Sequence, residues 1–186
     1  MDVGAENSQN KRDICSTDFA GIRVDFPYPE VKVLEPNRRY ALAMLDNFGG
    51  EISEMSAVSL YLYDNLTLFR DYPGAASIFL QIGEVEMRHL KIFGQLATEL
   101  GCDTRLWTQN TGAGMRYWSP LYNSYACSLS DIISIAIESE REAVKKYRAQ
   151  AAVIRDENII TILDRIILDE ENHIRLFEMM RDKCLR

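Results

Sequence analysis

The chain has 186 residues, a formal net charge of -7 and 47% hydrophobic residues. This length suits one domain with a tail, and the apolar content is sufficient for a core and too high for a disordered chain. The acidic balance disfavours nucleic-acid binding, which needs a basic face. No apolar run approaches the roughly 18 residues of a membrane span, so neither nucleic acid nor a membrane is expected as a partner.

The cysteines are scattered along the chain and form no CxxC pair, which excludes a rubredoxin-like or zinc-ribbon site. Isolated cysteines of this kind are typical of reduced cytoplasmic thiols. The polar N-terminus also lacks the apolar region of a signal peptide. We therefore predict a cytoplasmic protein with reduced thiols at Cys15, Cys102, Cys127 and Cys184.

Residues 1–37 differ in composition from the rest of the chain. The first residues are polar, and prolines then recur at positions 27, 29 and 36. Proline blocks helix formation and favours extended backbone in the residue before it. The sequence therefore predicts an extended or partly disordered N-terminal arm over 1–37, followed by one helical domain over 38–186.

The domain shows helical spacing in four stretches. Pro73 suits the first turn of a helix, Gly101 suits a helix end, and Ser128 suits a helix N-cap. These signals predict helices over about 38–70, 73–100 and 128–154, and a fourth that follows a short break at 155–157 and ends near 184.

The stretch of about 102–127 has no helical period and is unusually long for a connection inside a compact domain. A connection that crosses the bundle from end to end would need this length. The predicted fold is therefore all-α, a ferritin-like antiparallel four-helix bundle of two helical hairpins joined by a long crossover.

The two predicted hairpins repeat one pattern of chemistry. Each has Glu-x-x-Ala-x-x-x-Tyr on its first helix and Glu-x-x-His on its second. Residues three apart share a helix face, so each Glu-x-x-His directs both side chains the same way, and apolar residues surround them. Each hairpin therefore directs two glutamates and one histidine into the core. The six side chains are Glu54, Glu86, His89, Glu140, Glu170 and His173.

Four carboxylates facing one apolar core repel each other and are costly to bury unless they are neutralised. Two divalent metal ions cancel four carboxylates, and two neutral histidines complete the set. Carboxylate and imidazole ligands suit both iron and manganese. We predict a site for two iron ions, with manganese as the alternative.

An isolated Glu-x-x-His is usually a solvated pair, but here both histidines of the chain follow this pattern. Tyr61 and Tyr147 each lie seven residues after a predicted ligand, where they are either core aromatics or donors to a ligand carboxylate. The remaining glutamates near the pattern fall off the inward line. We predict that they are solvated: Glu51, Glu84, Glu138, Glu142 and Glu171.

These motifs resemble the ferritin-like diiron carboxylate proteins over about residues 38–183. Glu54-Met55-Ser56-Ala57 with Tyr61, and Glu86-Met87-Arg88-His89, are similar to the first two helices of rubrerythrins and manganese catalases. The run Ile167-Leu168-Asp169-Glu170-Glu171-Asn172-His173 is similar to the fourth helix of rubrerythrins and bacterioferritins. The resemblance implies that the six residues named above are the metal ligands. It also implies that Asp169 orients a histidine ligand, and that Glu170 bridges the metals together with Glu140 or Glu54.

Two departures from rubrerythrins qualify this resemblance. The chain has no rubredoxin domain, so its electron donor would be a separate molecule. Ala143 stands where many rubrerythrins have an additional glutamate, which makes the site more symmetric, as in bacterioferritins or manganese catalases.

The function implied is a rubrerythrin-like oxidoreductase that reduces hydrogen peroxide or dioxygen at a carboxylate-bridged two-metal site. The alternatives are peroxide disproportionation with manganese, ferrous iron oxidation as in a ferroxidase, and a structural or assembly role in which the metals only lock the bundle.

The first predicted helix is apolar on two adjacent faces, and one bundle core covers only part of that surface. We expect the remainder to meet the arm, the crossover or another subunit, and we predict a homodimer. The side chains concerned are Phe48, Ile52, Met55, Leu62 and Phe69.

Overall fold

The computed structural model of the chain describes residues 21–110 and 114–185, so the first part of the predicted arm lies outside the described residues. Five α-helices, two strands and a short 3-10 helix follow one another within these ranges. Their bounds are α1 Arg38–Gly49, α2 Glu54–Leu68, α3 Pro73–Glu99, β1 Trp107–Asn110, β2 Gly114–Tyr117, the 3-10 helix Pro120–Tyr122, α4 Leu129–Ala151 and α5 Glu157–Cys184.

The helices form a four-helix bundle in which α1 and α2 together occupy the first position. Both pack against α3, while α4 packs against α5. The ferritin-like fold of two hairpins is confirmed. Three predicted boundary signals are also confirmed: α3 begins at Pro73, Gly101 after its end has a φ of 92°, and the Ser128 side chain caps α4.

The prediction of one continuous helix over 38–70 is wrong. Helix α1 ends at Gly49, and the backbone of Gly50 leaves the helical region with φ -80° and ψ -169°. Ser53 then caps α2, because its side-chain oxygen accepts a hydrogen bond from the Ser56 N–H. Glu54 consequently becomes the first residue of a new helix, where the unpaired amides and the helix dipole favour a negative charge.

Close contacts explain why glycines occupy the break. A Cβ atom at Gly50 would clash with Asp46 Oδ1, and one at Gly49 would lie 3.2 Å from the backbone of Leu106. A larger residue at either position would displace the end of α1 or the crossover. The break is therefore specified by the Gly-Gly sequence, which an apolar-periodicity argument does not weigh.

Lys146 of α4 stabilises the break from the facing hairpin. Its ammonium forms an ion pair with Asp46 Oδ2 at 2.7 Å and donates hydrogen bonds to the carbonyls of Asp46 and Ile52 at 3.1 and 2.6 Å. Burial lowers the pKa of Lys146 against the opposing effect of Asp46. These contacts give the Ile52 carbonyl a donor, and they add a second donor to the Asp46 carbonyl, which already accepts the Gly50 N–H at 3.0 Å.

We expect Lys146→Met to lower the free energy of unfolding by about 2 kcal/mol, the usual range for hydrogen bonds to a charged group. Denaturant titration of the metal-free protein measures this change. The matched control is Lys145→Met, because Lys145 is the exposed neighbour on the same helix. Equal losses from the two substitutions would show that the break does not depend on Lys146.

The crossover follows α1 and then α2 along the bundle, as its length predicted. Successive hydrogen bonds attach it to those helices in chain order: Thr108 Oγ1 to Asp46 Oδ1 (3.0 Å), Trp118 Nε1 to Ser56 Oγ (3.0 Å), and Tyr63 Oη to Ala126 O (3.2 Å). It therefore begins α4 at the end of the bundle where α2 finishes, which makes α3 and α4 parallel.

The crossover contains a feature that the sequence did not predict. Strands β1 and β2 pair antiparallel, with Trp107 opposite Tyr117 and Asn110 opposite Gly114. These strands are only four residues long, and the exposed β2 shows no alternation between buried and exposed side chains. Short strands without that alternation are hard to distinguish from loop in a sequence.

Two apolar clusters fill the core. One contains Phe93, Leu96 and Tyr147, and the other contains Phe79 and Phe177 among its aromatic residues. The predicted metal-ligating side chains lie between these clusters, since Glu86 is flanked along α3 by Ile82 of one cluster and Phe93 of the other. The bundle thus places a polar layer between two apolar layers.

Asp64 of α2 is buried, with only 2% of its surface exposed. Burial raises the pKa of its carboxyl from the ordinary 3.8 to about 7. A raised pKa in the folded state means that the folded protein binds the proton more tightly. The free energy of unfolding should therefore fall as the pH rises from about 4 to about 7, by up to about 4 kcal/mol.

We expect Asp64→Asn to remove this dependence, because an amide does not ionise in this range. The free energy of unfolding of the variant should increase relative to the natural protein between pH 4.5 and pH 8. Denaturant titrations of both proteins at the two pH values measure it. A constant difference between the two proteins would contradict the expectation.

The outer face of α2 stays partly exposed. Phe48 packs against Gly94 of α3 and Met55 is half-buried, but Leu62, Leu66 and Phe69 are all more than half exposed. The arm and the crossover therefore cover only part of the apolar surface predicted for the first helix.

One expectation about the cysteines is wrong. Cys102 and Cys127 are free, but Cys184 at the end of α5 is disulfide-bonded. Spacing along a chain does not report distance in space, so scattered cysteines do not exclude a bridge. Among the described helices, none combines the length and the apolar character that crossing a bilayer requires.

Candidate metal centre

The six predicted ligands converge in the polar layer, and each is at most 3% exposed. Their ligand atoms form two overlapping groups in which all atoms lie within 4.8 Å of one another. The first group is Glu54, Glu86, His89 and Glu170, and the second is Glu86, Glu140, Glu170 and His173. Each group takes residues from both hairpins, so the centre exists only in the assembled bundle.

Glu86 and Glu170 belong to both groups. One oxygen of Glu86 lies 3.0 Å from His89 Nδ1 and the other lies 2.8 Å from His173 Nδ1. Glu170 repeats this arrangement, with one oxygen 3.1 Å from His89 Nδ1 and the other 3.1 Å from His173 Nδ1. Each of these carboxylates therefore spans both halves of the centre, as a bridging ligand would.

This arrangement differs from the bridging pairs named from the sequence. Those pairs joined Glu170 with Glu140 or with Glu54, yet Glu140 and Glu54 each belong to a single group. The internal repeat contained the necessary signal, since Glu86 and Glu170 hold equivalent positions in the two Glu-x-x-His motifs.

The two tyrosines of the repeated motif hydrogen-bond across the bundle. Tyr61 of α2 donates its hydroxyl proton to Glu140 of α4, and Tyr147 of α4 donates to Glu54 of α2 at 2.5 Å. Each tyrosine thus contacts the glutamate of the opposite hairpin rather than the one seven residues before it. The antiparallel crossing of α2 and α4 produces this exchange.

Burial strongly affects the glutamates that belong to one group. It raises the pKa of Glu54 well above the ordinary 4.5, with a further increase from the charge of Glu170. The pKa of Glu140 is raised in the same way by burial and by Glu86. Without metal, these two carboxyls therefore retain protons, as mutual repulsion in an apolar core requires.

For the two histidines, the charges of neighbouring carboxylates outweigh the effect of burial on the pKa. Burial alone would lower the pKa of His89, but the carboxylates of Glu170 and Glu86 raise it well above 6.5. The pKa of His173 is raised similarly, chiefly by Glu86. Burial would raise the pKa of Glu86, but the two imidazoliums hold it well below its usual range. Metal ions that bind here would therefore displace protons from the histidines and from the other glutamates.

The donor atoms fit a pair of metal ions. Glu86 Oε1 and Glu170 Oε1 are buried and accept no hydrogen bond from the described part of the chain, although each lies within 3.1 Å of a histidine Nδ1. Buried carboxylate oxygens that lack hydrogen bonds are unusual, and each one needs a specific partner. Carboxylate oxygen and imidazole nitrogen are the donors that iron and manganese accept.

Asp169, which the resemblance assigned to orienting a histidine, lies 3.2 Å from His89 Nε2 through its Oδ2 atom. The same oxygen forms an ion pair with Arg165 at 2.8 Å. The side chain of Tyr28, from the N-terminal arm, also reaches this position and lies 3.0 Å from His89 Nε2. Neither Tyr28 nor Arg165 was predicted from the sequence. The motif spacing contains no signal for Tyr28, because this residue lies in a non-helical segment far along the chain from His89 and Asp169.

The other glutamates are separate from the centre. All five that were predicted to be solvated are exposed, and Glu171 pairs with Arg148 on the surface. The helical register that separates inward from outward glutamates is therefore confirmed.

A cavity of about 390 Å³ lies against the centre between α2 and α4. Glu54, Glu140 and Tyr147 line it together with Ala57 and Ala143, and the crossover contributes Tyr122 to Ser124. The two alanines hold equivalent positions, each three residues after a glutamate of the centre. Their small side chains leave open space next to Glu54 and Glu140, so a small molecule has a route to the centre.

A family model described as Rubrerythrin matches residues 51–181, which include all six converging side chains. No curated protein sequence matches the chain.

Two solved structures resemble the fold. A manganese catalase, KatB from Anabaena PCC7120, has a TM-score of 0.72 at 20% sequence identity, covering 86% of this chain and 78% of the other. A second structure, wild-type KatB from Anabaena, has a TM-score of 0.71 at 21% identity, covering 87% and 81%. At this level of identity the likeness concerns the fold.

Proposed function

The chain belongs to the rubrerythrin family, and we propose that it is an oxidoreductase that reduces hydrogen peroxide or dioxygen at a two-metal centre. The ligands proposed are Glu54, Glu86, His89, Glu140, Glu170 and His173. One observation supports this most directly: two groups of buried donors share Glu86 and Glu170, whose oxygens are divided between the two histidines.

The buried residues position the ligands and keep bulk water away. The Tyr61 and Tyr147 hydroxyls fix the orientations of Glu140 and Glu54, and burial first, then the neighbouring carboxylates, raise the pKa of both tyrosines well above 10. Both hydroxyls therefore keep their protons at neutral pH. The aromatic rings of Phe79 and Phe177 pack beside Tyr61 on one side of the centre.

Two redox-active ions held here would supply the electrons that cleave the oxygen–oxygen bond of the substrate. The cavity between α2 and α4 gives the substrate access at Glu54 and Glu140. Iron is proposed as the metal, and electrons for repeated turnover are proposed to come from a separate donor protein or small molecule.

A second candidate is peroxide disproportionation with manganese. It is favoured by the two-fold symmetry of the centre, in which Ala57 and Ala143 occupy matching places, and by the fold likeness to proteins that are described as manganese catalases.

The products distinguish these reactions. Protein purified without oxygen is analysed for bound metal and mixed with hydrogen peroxide, with and without a reductant. Reduction requires stoichiometric reductant and releases no oxygen, whereas disproportionation releases oxygen without reductant. Metal-loaded protein that consumes no peroxide and no dioxygen contradicts both candidates and favours the structural role. Ferrous iron added aerobically tests the ferroxidase alternative by the rate of its oxidation.

We also propose that the chain forms a homodimer through the exposed outer face of α2, where Leu62, Leu66 and Phe69 lie. A cluster of exposed apolar side chains on one helix is typical of an interface. Light scattering after size-exclusion chromatography should give twice the chain mass of 21.3 kDa. Leu66→Lys should shift the mass toward the monomer, and a monomer in the natural protein would contradict the prediction.

The cytoplasmic location stays a prediction. The disulfide at Cys184 removes the argument for it that came from reduced thiols.

A further inference from the structure

The N-terminal arm reaches the centre although it precedes the residues that match the family, 51–181. Tyr28 of the arm places its hydroxyl 3.0 Å from His89 Nε2 and in hydrogen-bond contact with Asp169 Oδ2. Nothing in the repeated helical motif assigns a role to this tyrosine. Its position nevertheless makes it a neighbour of one histidine and not of the other.

The hydrogen bonds that Asp169 accepts determine the direction in which the Tyr28 hydroxyl donates its proton. Its Oδ1 atom accepts the N–H of Val24 at 2.8 Å, and its Oδ2 atom pairs with the Arg165 guanidinium at 2.8 Å. A carboxylate paired with a guanidinium accepts hydrogen bonds and donates none. Tyr28 therefore donates its proton to Asp169, and its oxygen is left to accept from His89.

This hydrogen bonding fixes the state of the His89 ring. Tyr28 and Asp169 both present acceptors to Nε2, at 3.0 and 3.2 Å, so Nε2 carries a proton. The lone pair of a neutral imidazole is then on Nδ1, which faces Glu86 and Glu170. That is the atom and the orientation that a metal ion needs.

Several contacts hold Tyr28 in place. The Arg88 and Arg165 guanidiniums lie over its ring, with their Cζ atoms 4.5 and 4.2 Å from the centroid. Arg165 also donates hydrogen bonds to the carbonyls of Val24 and Phe26 at 2.9 and 2.8 Å. Arg88 of α3 and Arg165 of α5 thus anchor the arm next to Tyr28.

Among residues 21–110 and 114–185, His173 has no equivalent support. Its Nε2 atom is buried and has no hydrogen-bond partner in those ranges, whereas the Nε2 atom of His89 has two. The two donor groups are therefore matched in their carboxylates and different in how their histidines are held.

We propose that Tyr28 is a positioning residue that, through His89, makes the group of Glu54, Glu86, His89 and Glu170 the tighter of the two metal positions. This inference rests on the proposed two-metal centre. Loss of a partner that orients a metal-bound histidine typically lowers metal affinity by about 10- to 100-fold. The natural protein should therefore bind its two ions in two separable steps.

Calorimetric titration of the metal-free protein with Mn²⁺ tests this. We expect Tyr28→Phe, which keeps the aromatic ring between the arginines, to weaken the tighter step by about 10- to 100-fold and leave the weaker step unchanged. His173→Ala should keep the tighter step, and His89→Ala should lose it. The matched control is Tyr63→Phe, because Tyr63 donates to the crossover carbonyl of Ala126 and belongs to neither donor group.

A second measurement separates positioning from a general effect on folding. The chain has two histidines, so ¹⁵N-labelling of histidine gives two ring systems in the Zn²⁺-loaded protein. The Nε2 proton of His89 should be protected from exchange and should shift in Tyr28→Phe, while the His173 signals stay in place.

The outcomes distinguish the inference from the proposed function. Two Mn²⁺ ions bound with unchanged affinities and an unchanged His89 signal in Tyr28→Phe would overturn the positioning role and leave the two-metal centre intact. Natural protein that binds no Mn²⁺ would overturn both.

Discussion

Replacing Glu170 by alanine is expected to abolish the binding of a metal pair. Glu170 is fully buried and belongs to both donor groups, with one oxygen near each histidine. Its loss removes one shared carboxylate and leaves two ions with insufficient negative charge around them. We expect the affinity for the pair of ions to fall by at least about 100-fold. This loss exceeds the one expected when a residue that only hydrogen-bonds to a metal ligand is removed. Metal analysis after dialysis measures the loss.

The adjacent residue is the matched control. Glu171 lies on the same helix but is exposed and pairs with Arg148 on the surface. Glu171→Ala should bind two ions with nearly natural affinity, and circular dichroism should show both variants folded. Loss of the metals from Glu171→Ala and retention by Glu170→Ala would mean that the register of α5 is wrong.

Ala143→Phe is expected to block the proposed reaction without removing the metals. Ala143 lines the cavity beside Glu140 and supplies no ligand atom. A phenyl ring at this position would occupy the space through which a small substrate reaches Glu54 and Glu140. We expect peroxide consumption to fall by about 10- to 100-fold, a range typical of misplaced substrates, while the metal content per chain stays the same.

Ala149→Phe provides the control on the same helix, because Ala149 is exposed and lies outside the cavity. It should retain natural peroxide consumption. If Ala143→Phe also retains it, the substrate reaches the centre by another route. If the variant instead loses its metals, the cavity contributes to the integrity of the centre and not only to access.

The main features of the fold and the centre were predictable because helical geometry is regular. Three-residue spacing places Glu170 and His173 on one face whatever the tertiary contacts, and the internal repeat relates Glu54 to Glu140. Side chains at these positions are indeed brought together.

The features that were missed depend on contacts between distant parts of the chain. The Gly-Gly sequence at the break after α1 is local, but the close approach that requires Gly49 involves the distant backbone of Leu106. The contact of Tyr28 with His89 likewise joins segments whose separation along the chain says nothing about their distance in space. No local pattern encodes such pairings.

Because the described part of the arm supports only one of the two histidines, the two metal positions of such a centre can become chemically different. Two copies of one hairpin, related by exact two-fold symmetry, could assemble four glutamates and two histidines, but any residue beside one histidine would then stand beside the other as well. A single chain that contains both hairpins is free of that constraint. Its first hairpin has the arm before it, and Val85 and Asp169 differ at matching positions of the repeat. Joining the halves in one polypeptide therefore allows each metal position to acquire its own chemistry by separate substitutions.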